Sequence, residues 1–404
     1  MKATESTKPR KKKAILAPKT FCEFFAGIGL VREALALSGW ECVYSNDIDW
    51  KKQEIYQGRF GKSDHFHFGD VWNTDEVIAR IPGQAALMTA SFPCTDLSLA
   101  GHYRGLEGKQ SSTFFGFAKV LEALEDKRPP LVMLENVPGF LSSNKGQDFA
   151  TAAHCLAKLG YWLDVFVLDA CHFTPQSRPR VFVIGVAEKH RPLQNEGPSG
   201  GWLWPTEESG SLRPDSVIRF KHRLELETGW LTLPLPEPPR NNTLLSDLID
   251  LDDGQAWWDE EEVQRHCEMM SDLHRRKVEE IRTSNQRWIA TIFRRIREKK
   301  MRAEVRFDGI AGCLRTPKGG SARQIVIVCE NGKLRMRWMN PREYARLQGV
   351  PDFPLVGTTI QQLWGFADAV CVPAISWIDR HVLTPLFASI SRFGKYDDRR
   401  RPQT

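Results

Sequence analysis

Between Thr20 and Val186 short apolar runs alternate with stretches of helical spacing, and this alternation restricts the fold more than any other feature of the chain. Thr20–Phe25 reads as a strand and runs directly into Ala26-Gly27-Ile28-Gly29. A helix follows, with Leu30, Val31, Ala34, Leu35 and Leu37 on its apolar side and Gly39 as its stop. The next strand, Trp40–Ser45, ends at Asn46-Asp47, and a third ends at Gly69-Asp70-Val71. Asn73 with Glu76 predicts a capping box opening a short helix to Ile81. Then come the strand Ala85–Ala90, a helix over about 113–125 and the strand Leu131–Leu134. A helix ending at Gly160 and the strands Tyr161–Leu168 and Val181–Val186 complete the set. The pattern predicts an α/β protein with a doubly wound, mostly parallel sheet.

Ligands of such sheets meet the carboxyl ends of the strands. At one of these ends lies Ser91-Phe92-Pro93-Cys94, where a proline precedes a thiol and cannot continue a helix. A thiol there can be a nucleophile, activated by cationic neighbours, or can merely fill space. Phe25-x-Gly27-x-Gly29, between strand and helix, suits a nucleotide-like cofactor at a helix N-terminus, although glycines also serve simple turns. Asp47, 22 residues beyond Phe25, is placed as a carboxylate for ribose hydroxyls would be. Asp70 is either an acceptor for an adenine amine or a turn aspartate. Arg32 fills the third glycine position of Gly-x-Gly-x-x-Gly, which disfavours NAD. Glu135, after the strand neighbouring that of Cys94, can hold or donate a proton beside a thiol. In Gln176-x-Arg178-x-Arg180 the period of two makes both guanidinium groups project alike. They are expected to anchor phosphate and lower the thiol pKa, or else to form salt bridges.

A length of 404 residues allows two domains, and 41% hydrophobic with 26% charged residues is ordinary for a soluble globular protein. No apolar run approaches the ~18 residues that cross a membrane, and no apolar segment follows the basic N-terminus as in a secretory signal. Nine cysteines without a Cys-x-x-Cys pair argue against a disulfide framework and a zinc site, so no metal is expected and a reducing cytoplasm fits. The net charge of +6 sits in the ends: residues 1–20 carry +6 and 392–404 carry +3, leaving 21–391 at −3. Residues 1–19 and 392–404 therefore read as basic, disordered tails.

The alternation stops near Glu188. Residues 191–240 are rich in Pro and Gly, and Ser246–Val263 holds eight acidic residues and no basic one. Ile281–Arg306 is the reverse, with nine Lys/Arg against two Glu, interleaved with Trp288, Ile289, Ile292, Phe293 and Ile296. Such a stretch predicts a nucleic-acid face, with Arg294, Arg295 and Arg297 as candidate contacts. Order returns at Gly312–Gly320, a loop with permissive glycines, and at Asn340-Pro341-Arg342-Glu343, which signals a capped helix start. The final apolar stretch, Ala369–Ile390, has helical spacing interrupted by Pro373 and Pro385.

Taken in order, these motifs resemble the cytosine-5 DNA methyltransferases of the prokaryotic restriction-modification type. Phe25-Ala26-Gly27-Ile28-Gly29, Phe92-Pro93-Cys94, Glu135-Asn136-Val137 and Gln176-x-Arg178-x-Arg180 stand in the family's sequence. So do Asn340–Gly349 and the late Ala369-Val370, and the likeness covers about 20–188 and 310–378. It implies a Rossmann-like catalytic domain at 20–190, a target-recognition domain at 191–335, and a return segment at 336–391 whose closing helix packs on the first domain. It also implies S-adenosylmethionine as methyl donor, double-stranded DNA as partner and a flipped cytosine as substrate. Cys94 would attack the base, Glu135 would protonate it, Arg178 and Arg180 would steady it, and the loop Thr95–Ser112 would close over it. Phe25, Gly27, Gly29, Asp47, Ile48, Asp70, Val71, Pro93, Asp368 and Val370 would bind the cofactor, and Gln176 would lie against DNA. A monomer in the cytoplasm at the nucleoid is implied, with a cognate endonuclease or defence proteins as further partners. A transfer-RNA methyltransferase or a non-catalytic DNA-binding relative are the alternatives. The chain departs from the family in Phe24 before Phe25, in Leu30 for a glycine, and in Ala367-Asp368-Ala369-Val370 for Gly-Asn-x-Val.

Overall fold

The computed structural model describes residues 18–93, 113–191, 210–252, 254, 256–297, 299–317 and 322–393. Residues 1–17 and 394–404 of the basic tails, Cys94, the loop Thr95–Ser112 and Gly319-Gly320 lie outside the described residues. The first part of the chain runs β1 (Thr20–Phe24), α1 (Leu30–Ala36), β2 (Glu41–Asp47), α2 (Trp50–Phe60), β3 (Phe66–Phe68), α3 (Thr74–Arg80) and β4 (Leu87–Ala90). It continues through α4 (Thr113–Ala123), β5 (Leu131–Asn136), α5 (Gln147–Lys158), β6 (Tyr161–Asp169) and β7 (Pro179–Ala187). These strands form one sheet in the order β3-β2-β1-β4-β5-β7-β6, parallel except for β7. Only a single 3-10 turn, Ala170–His172, separates β6 from β7, and strands joined without a crossover must pair antiparallel. The sheet buries both faces, as a parallel sheet must. Phe21, Leu87, Leu131 and Met133 meet Leu30, Leu35 and the C-terminal helices on one side, while Phe24, Met88, Val132 and Leu134 meet the aromatic row of α4 on the other.

Local expectations fail in two places. Leu37 is 74% exposed, because α1 ends at Ala36 before the apolar stripe returns to the core. Asn73 precedes α3 without making a side-chain cap, and the Glu76 carboxylate pairs with His67 Nε2 at 3.0 Å.

After α6 (Asp215–Arg223) a second layer is built from α7 (Glu260–Glu268), α8 (Asp272–Thr283), β8 (Trp288–Arg297), β9 (Lys300–Val305), β10 (Ile325–Glu330) and β11 (Lys333–Trp338). Its antiparallel sheet has the order β11-β10-β8-β9 and runs past the boundary expected at 335. Val278, Met270, Ala290, Ile292 and Ile327 form its core under α7 and α8. Then α9 (Pro341–Leu347), α10 (Thr359–Asp368), α11 (Val372–Ile378) and α12 (Thr384–Phe393) return to the first sheet. Asn340 and Glu343 form the capping box read from the sequence. Asp379, in a π-helical turn between α11 and α12, accepts from Trp40 Nε1 at 2.7 Å and fastens this rod beside α1. Pro385 has no N–H to give, and the wider turn before it absorbs that loss. Among the described residues no helix is long and apolar enough to cross a membrane.

Candidate active site

The carboxyl ends of β1, β2, β4 and β5 lie along one edge of the sheet, and the reversed β7 brings its first residues to the same edge. This reversal explains the central contact of the site. Glu135 lies near the end of β5 and Arg180 near the start of β7, and Arg180 Nε reaches Glu135 Oε1 at 3.0 Å. Both side chains are largely buried, at 9% and 13% exposed, so the charge-assisted bond is well shielded. The neighbouring Asn136 is also fixed. Its Nδ2 donates to the Phe92 carbonyl at 3.0 Å, while its Oδ1 accepts from Val137 N–H at 2.8 Å. Asn136 thereby ties the end of β5 to the backbone just before Pro93 and Cys94. The sequence motif contains Asn136 without assigning it a role; an amide directly after the strand-end acid is the available signal.

Arg178 and Arg180 do not project alike. Arg178 is 2% exposed and turns away from Glu135 into the interior. Its guanidinium donates to the carbonyls of Leu314 at 3.1 Å, Ala367 at 2.8 Å and Ala369 at 2.6 Å. Burial and the adjacent Arg180 lower its pKa. Gln176 is fully buried, donating to Leu347 O at 2.9 Å and accepting from Leu314 N–H at 3.3 Å. It has no surface to offer DNA. Together with Ser177 N–H on Ala311 O, these residues form a hub joining the 311–314 loop, the end of α9 and the segment after α10. The hub also creates a feature the sequence did not announce. Cys313 Sγ lies 3.5 Å from Arg178 Nη1 and 4.0 Å from Arg180 Nη2. Burial would raise this thiol, but the two guanidinium groups outweigh it and hold its pKa below the ordinary value.

The β1–α1 turn supplies the second half of the site. Phe25, Gly27 and Gly29 all have positive φ, at 57°, 57° and 84°. The two glycines serve different ends. A Cβ on Gly29 would come within 2.5 Å of Phe60 and 2.7 Å of Tyr56, so its smallness admits α2 against the turn. A Cβ on Gly27 would meet only Lys52 Cδ, at 4.0 Å, which leaves open space over the loop. The loop's amides are not all free, because Gly29 N–H donates to Ala26 O at 2.8 Å and Gly27 N–H to Asp47 Oδ2 at 2.7 Å. Asp47 also accepts from Asp49 N–H at 2.8 Å, and burial nevertheless raises its pKa. Beside it Ile48 is 64% exposed, an unusual state for an isoleucine, and Phe25 is half-buried. Asp70 is exposed and accepts from Trp72 N–H at 3.0 Å, so its turn reading holds, while Val71 and Val370 are buried. Pro93 is exposed at the strand end. Asp368, at the end of α10, pairs with Lys52 Nζ at 2.8 Å. An open glycine loop, an exposed apolar side chain and strand-end carboxylates fit an adenosine-bearing cofactor.

The sequence profile described as C-5 cytosine-specific DNA methylase matches residues 19–383. The chain belongs to this family. It is an enzyme that methylates carbon 5 of cytosine in DNA. Type II methyltransferase M.HhaI of Haemophilus parahaemolyticus is 27% identical over 362 residues, which cover 89% of this chain and 92% of that one. Type II methyltransferase M.HpaII of Haemophilus parainfluenzae is 26% identical over 385 residues, covering 91% and 90%. Among solved structures, the Entamoeba histolytica methyltransferase EhMeth aligns with a TM-score of 0.58 at 14% identity, over 93% of this chain and 99% of that one. The Dnmt2 methyltransferase of S. pombe aligns at 0.54 and 18%, over 91% and 99%. These likenesses agree with the mostly parallel sheet and its appended antiparallel one.

In the second sheet the arginine cluster divides by strand register. Residues directly opposed in an antiparallel pair share a face. Arg295 opposes Arg302, Arg297 opposes Lys300 and Phe293 opposes Glu304 on one face, whereas Arg294 opposes Ala303 on the other. Arg294 lies on the face covered by α7 and α8, with its guanidinium 4.7 Å from the Trp338 ring centroid. Arg295 is paired with Glu304, and Arg297 lies 3.9 Å from the same carboxylate.

Proposed function

We propose that the enzyme uses S-adenosylmethionine to methylate a cytosine flipped from duplex DNA, with Cys94 as nucleophile and Glu135 as proton donor. The observation that carries this reading is the buried Glu135–Arg180 pair, set beside a Phe92 carbonyl that Asn136 holds in place. Carbon 5 of cytosine is a weak nucleophile. Addition of the Cys94 thiolate to carbon 6 makes an S–C bond and pushes electrons through the ring toward carbon 5 and the ring nitrogen. Glu135 gives that nitrogen a proton as charge develops there, while Arg180 orients Glu135. The sulfonium donor supplies an electrophilic methyl group. Carbon 5 would take that methyl as its bond to sulfur breaks. Loss of the carbon 5 proton to water then lets the ring break its C–S bond and expel Cys94 as thiolate, and the nitrogen's proton returns to Glu135. Phe25, Ile48 and Asp47 would hold the nucleoside part, with Asp70 and Val71 near the base and Pro93, Asp368 and Val370 toward the other end. Glu135→Gln is expected to lower single-turnover methylation roughly 100-fold or more, with S-adenosylhomocysteine affinity within about twofold of the parent. Parental rates would remove Glu135 from the proton transfer.

The second sheet is the proposed target-recognition element, within a domain of about 191–335, and its cationic face carries Arg297, Lys300 and Arg302 with Arg295. Replacing Arg297, Lys300 and Arg302 by Ala should flatten the salt dependence of duplex binding by about one unit of slope for each phosphate no longer neutralised. Arg294→Ala should leave that slope unchanged and weaken the fold, because Arg294 packs on Trp338. Titrations at several salt concentrations check both. A role beside a cognate endonuclease in a restriction-modification system, as a monomer acting on the nucleoid, completes the reading. The type II names of the relatives support the restriction-modification part of it.

A further inference from the structure

Cys313 lies in the 311–314 loop, where the hub around Arg178 meets the Glu135–Arg180 pair. Its Sγ is 3.5 Å from Arg178 Nη1 and 4.0 Å from Arg180 Nη2, and the same Arg180 holds Glu135 through Nε. The thiol is half-buried, whereas Arg178 behind it is enclosed. Two polar atoms beside it have no hydrogen-bond partner among the described residues. One is Nε of Arg178, and the other is Oε1 of Gln324, whose Nε2 donates to the Cys313 carbonyl at 3.3 Å. Both residues are 2% exposed, and a buried polar atom without a partner is costly. The methyl-transfer steps use neither these two atoms nor the thiol.

A sulfur facing two guanidinium groups is held toward its thiolate form, and partly exposed thiolates are the ones that peroxides oxidise. Arg315, exposed two residues on, adds to the same field. Of the eight described cysteines, Cys313 is the one held below its ordinary pKa, and burial pushes the other seven upward. We propose that Cys313 is a site of reversible oxidation by peroxide that turns methyl transfer down. The thiolate attacks one oxygen of hydrogen peroxide, an S–O bond forms as the O–O bond breaks, and hydroxide leaves. Sulfur gives up two electrons and becomes a sulfenic acid, while the hydroxide takes a proton from solvent. The new S–OH group calls for one donor and one acceptor, and Arg178 Nε and Gln324 Oε1 are such a pair. Its oxygen also competes with Glu135 for Arg180, because guanidinium bonds to oxygen are shorter and stronger than contacts to sulfur. A dithiol restores the thiol, releasing the oxygen as water and closing to a disulfide. The effect on turnover rests on the reading that Arg180 orients Glu135 for proton transfer.

The full chain is treated with hydrogen peroxide and then with dimedone, which marks sulfenic acids, and its peptides are read by mass spectrometry. Cys313 should carry the label. In parallel samples without dimedone, methylation by the treated parent should fall roughly 10-fold, the scale of one lost charge-assisted hydrogen bond, and return with dithiothreitol. Cys313→Ser, compared with its own untreated rate, should keep its activity within about twofold under the same treatment. Label confined to other cysteines, Cys94 included, would overturn the proposal. Equal fractional inactivation of the parent and Cys313→Ser would overturn it as well. Should Cys313→Ser fail to fold, Cys313→Ala takes its place, and the parent's label and activity, followed together through oxidation and reduction, need no variant. Label at Cys313 with undiminished turnover would overturn its control of the reaction. The labelling does not involve Glu135, so parental rates in Glu135→Gln would remove the proton-transfer reading and leave the oxidised thiol standing.

Discussion

Cys94→Ala should reduce methyl transfer by at least about 10⁴-fold, the scale on which losing a covalent nucleophile acts. Affinity for S-adenosylhomocysteine should remain within about twofold, because in the proposed mechanism the thiol addresses the base while the cofactor would be held at the β1–α1 turn. Single-turnover assays with tritiated donor, beside calorimetry, read the two quantities separately. The expectation rests on the Pro-Cys motif and on how the residues before it are held. Phe92 is buried against Phe114 and Phe140, its carbonyl is held by Asn136, and Pro93 restricts the next step of the backbone. The last described residues before the thiol are thus fixed to the end of β5, the strand that carries Glu135. Activity above a few per cent of the parent would move the nucleophile elsewhere. Cys313 would then need consideration, since its thiol already lies beside both arginines and below its ordinary pKa.

The sequence made the first sheet legible because its strands are buried on both faces and punctuated by glycine, proline and capping residues. Leu131–Leu134 and Val181–Val186 could not be mistaken for surface segments. The reversal of β7 was also present in the sequence, in the absence of a helical stretch between Leu168 and Val181, yet alternation elsewhere obscured it. The reversal matters because it puts Arg180 at the edge where Glu135 ends. What single-chain pattern could not supply was the direction of individual side chains. Period two places Gln176, Arg178 and Arg180 on one face only while the segment is a regular strand, and β7 begins at Pro179. Arg178 and Gln176 therefore turn inward to carbonyls from distant parts of the chain. In the basic stretch, charge alone grouped Arg294 with Arg295, whereas the pleat separates them to opposite faces of β8. The irregular stretch before α7 gave little pattern at all, since its order depends on partners such as Glu343, which accepts from Asp250 N–H at 2.9 Å.

Arg178→Ala should destabilise the protein by about 3–5 kcal/mol, the scale for removing one partner from a buried charged network. Three carbonyls, of Leu314, Ala367 and Ala369, would lose a buried donor at once; Ala369 O keeps Gln348 Nε2 at 3.1 Å, and an acceptor left unsatisfied costs about 1–3 kcal/mol. Arg178→Lys should fall between parent and Ala, because an ammonium is a point donor and cannot span the carbonyls on both sides as a planar fork does. Urea unfolding followed by tryptophan fluorescence measures the loss. The change should also weaken cofactor binding, since Ala367 and Ala369 flank Asp368. A guanidinium that touched the base or phosphate instead would give the opposite pattern: parental unfolding with a depressed turnover. The two outcomes separate a residue that acts on substrate from one that holds the return segment against the catalytic sheet. The burial of Arg178 and its three carbonyl partners place it with the second.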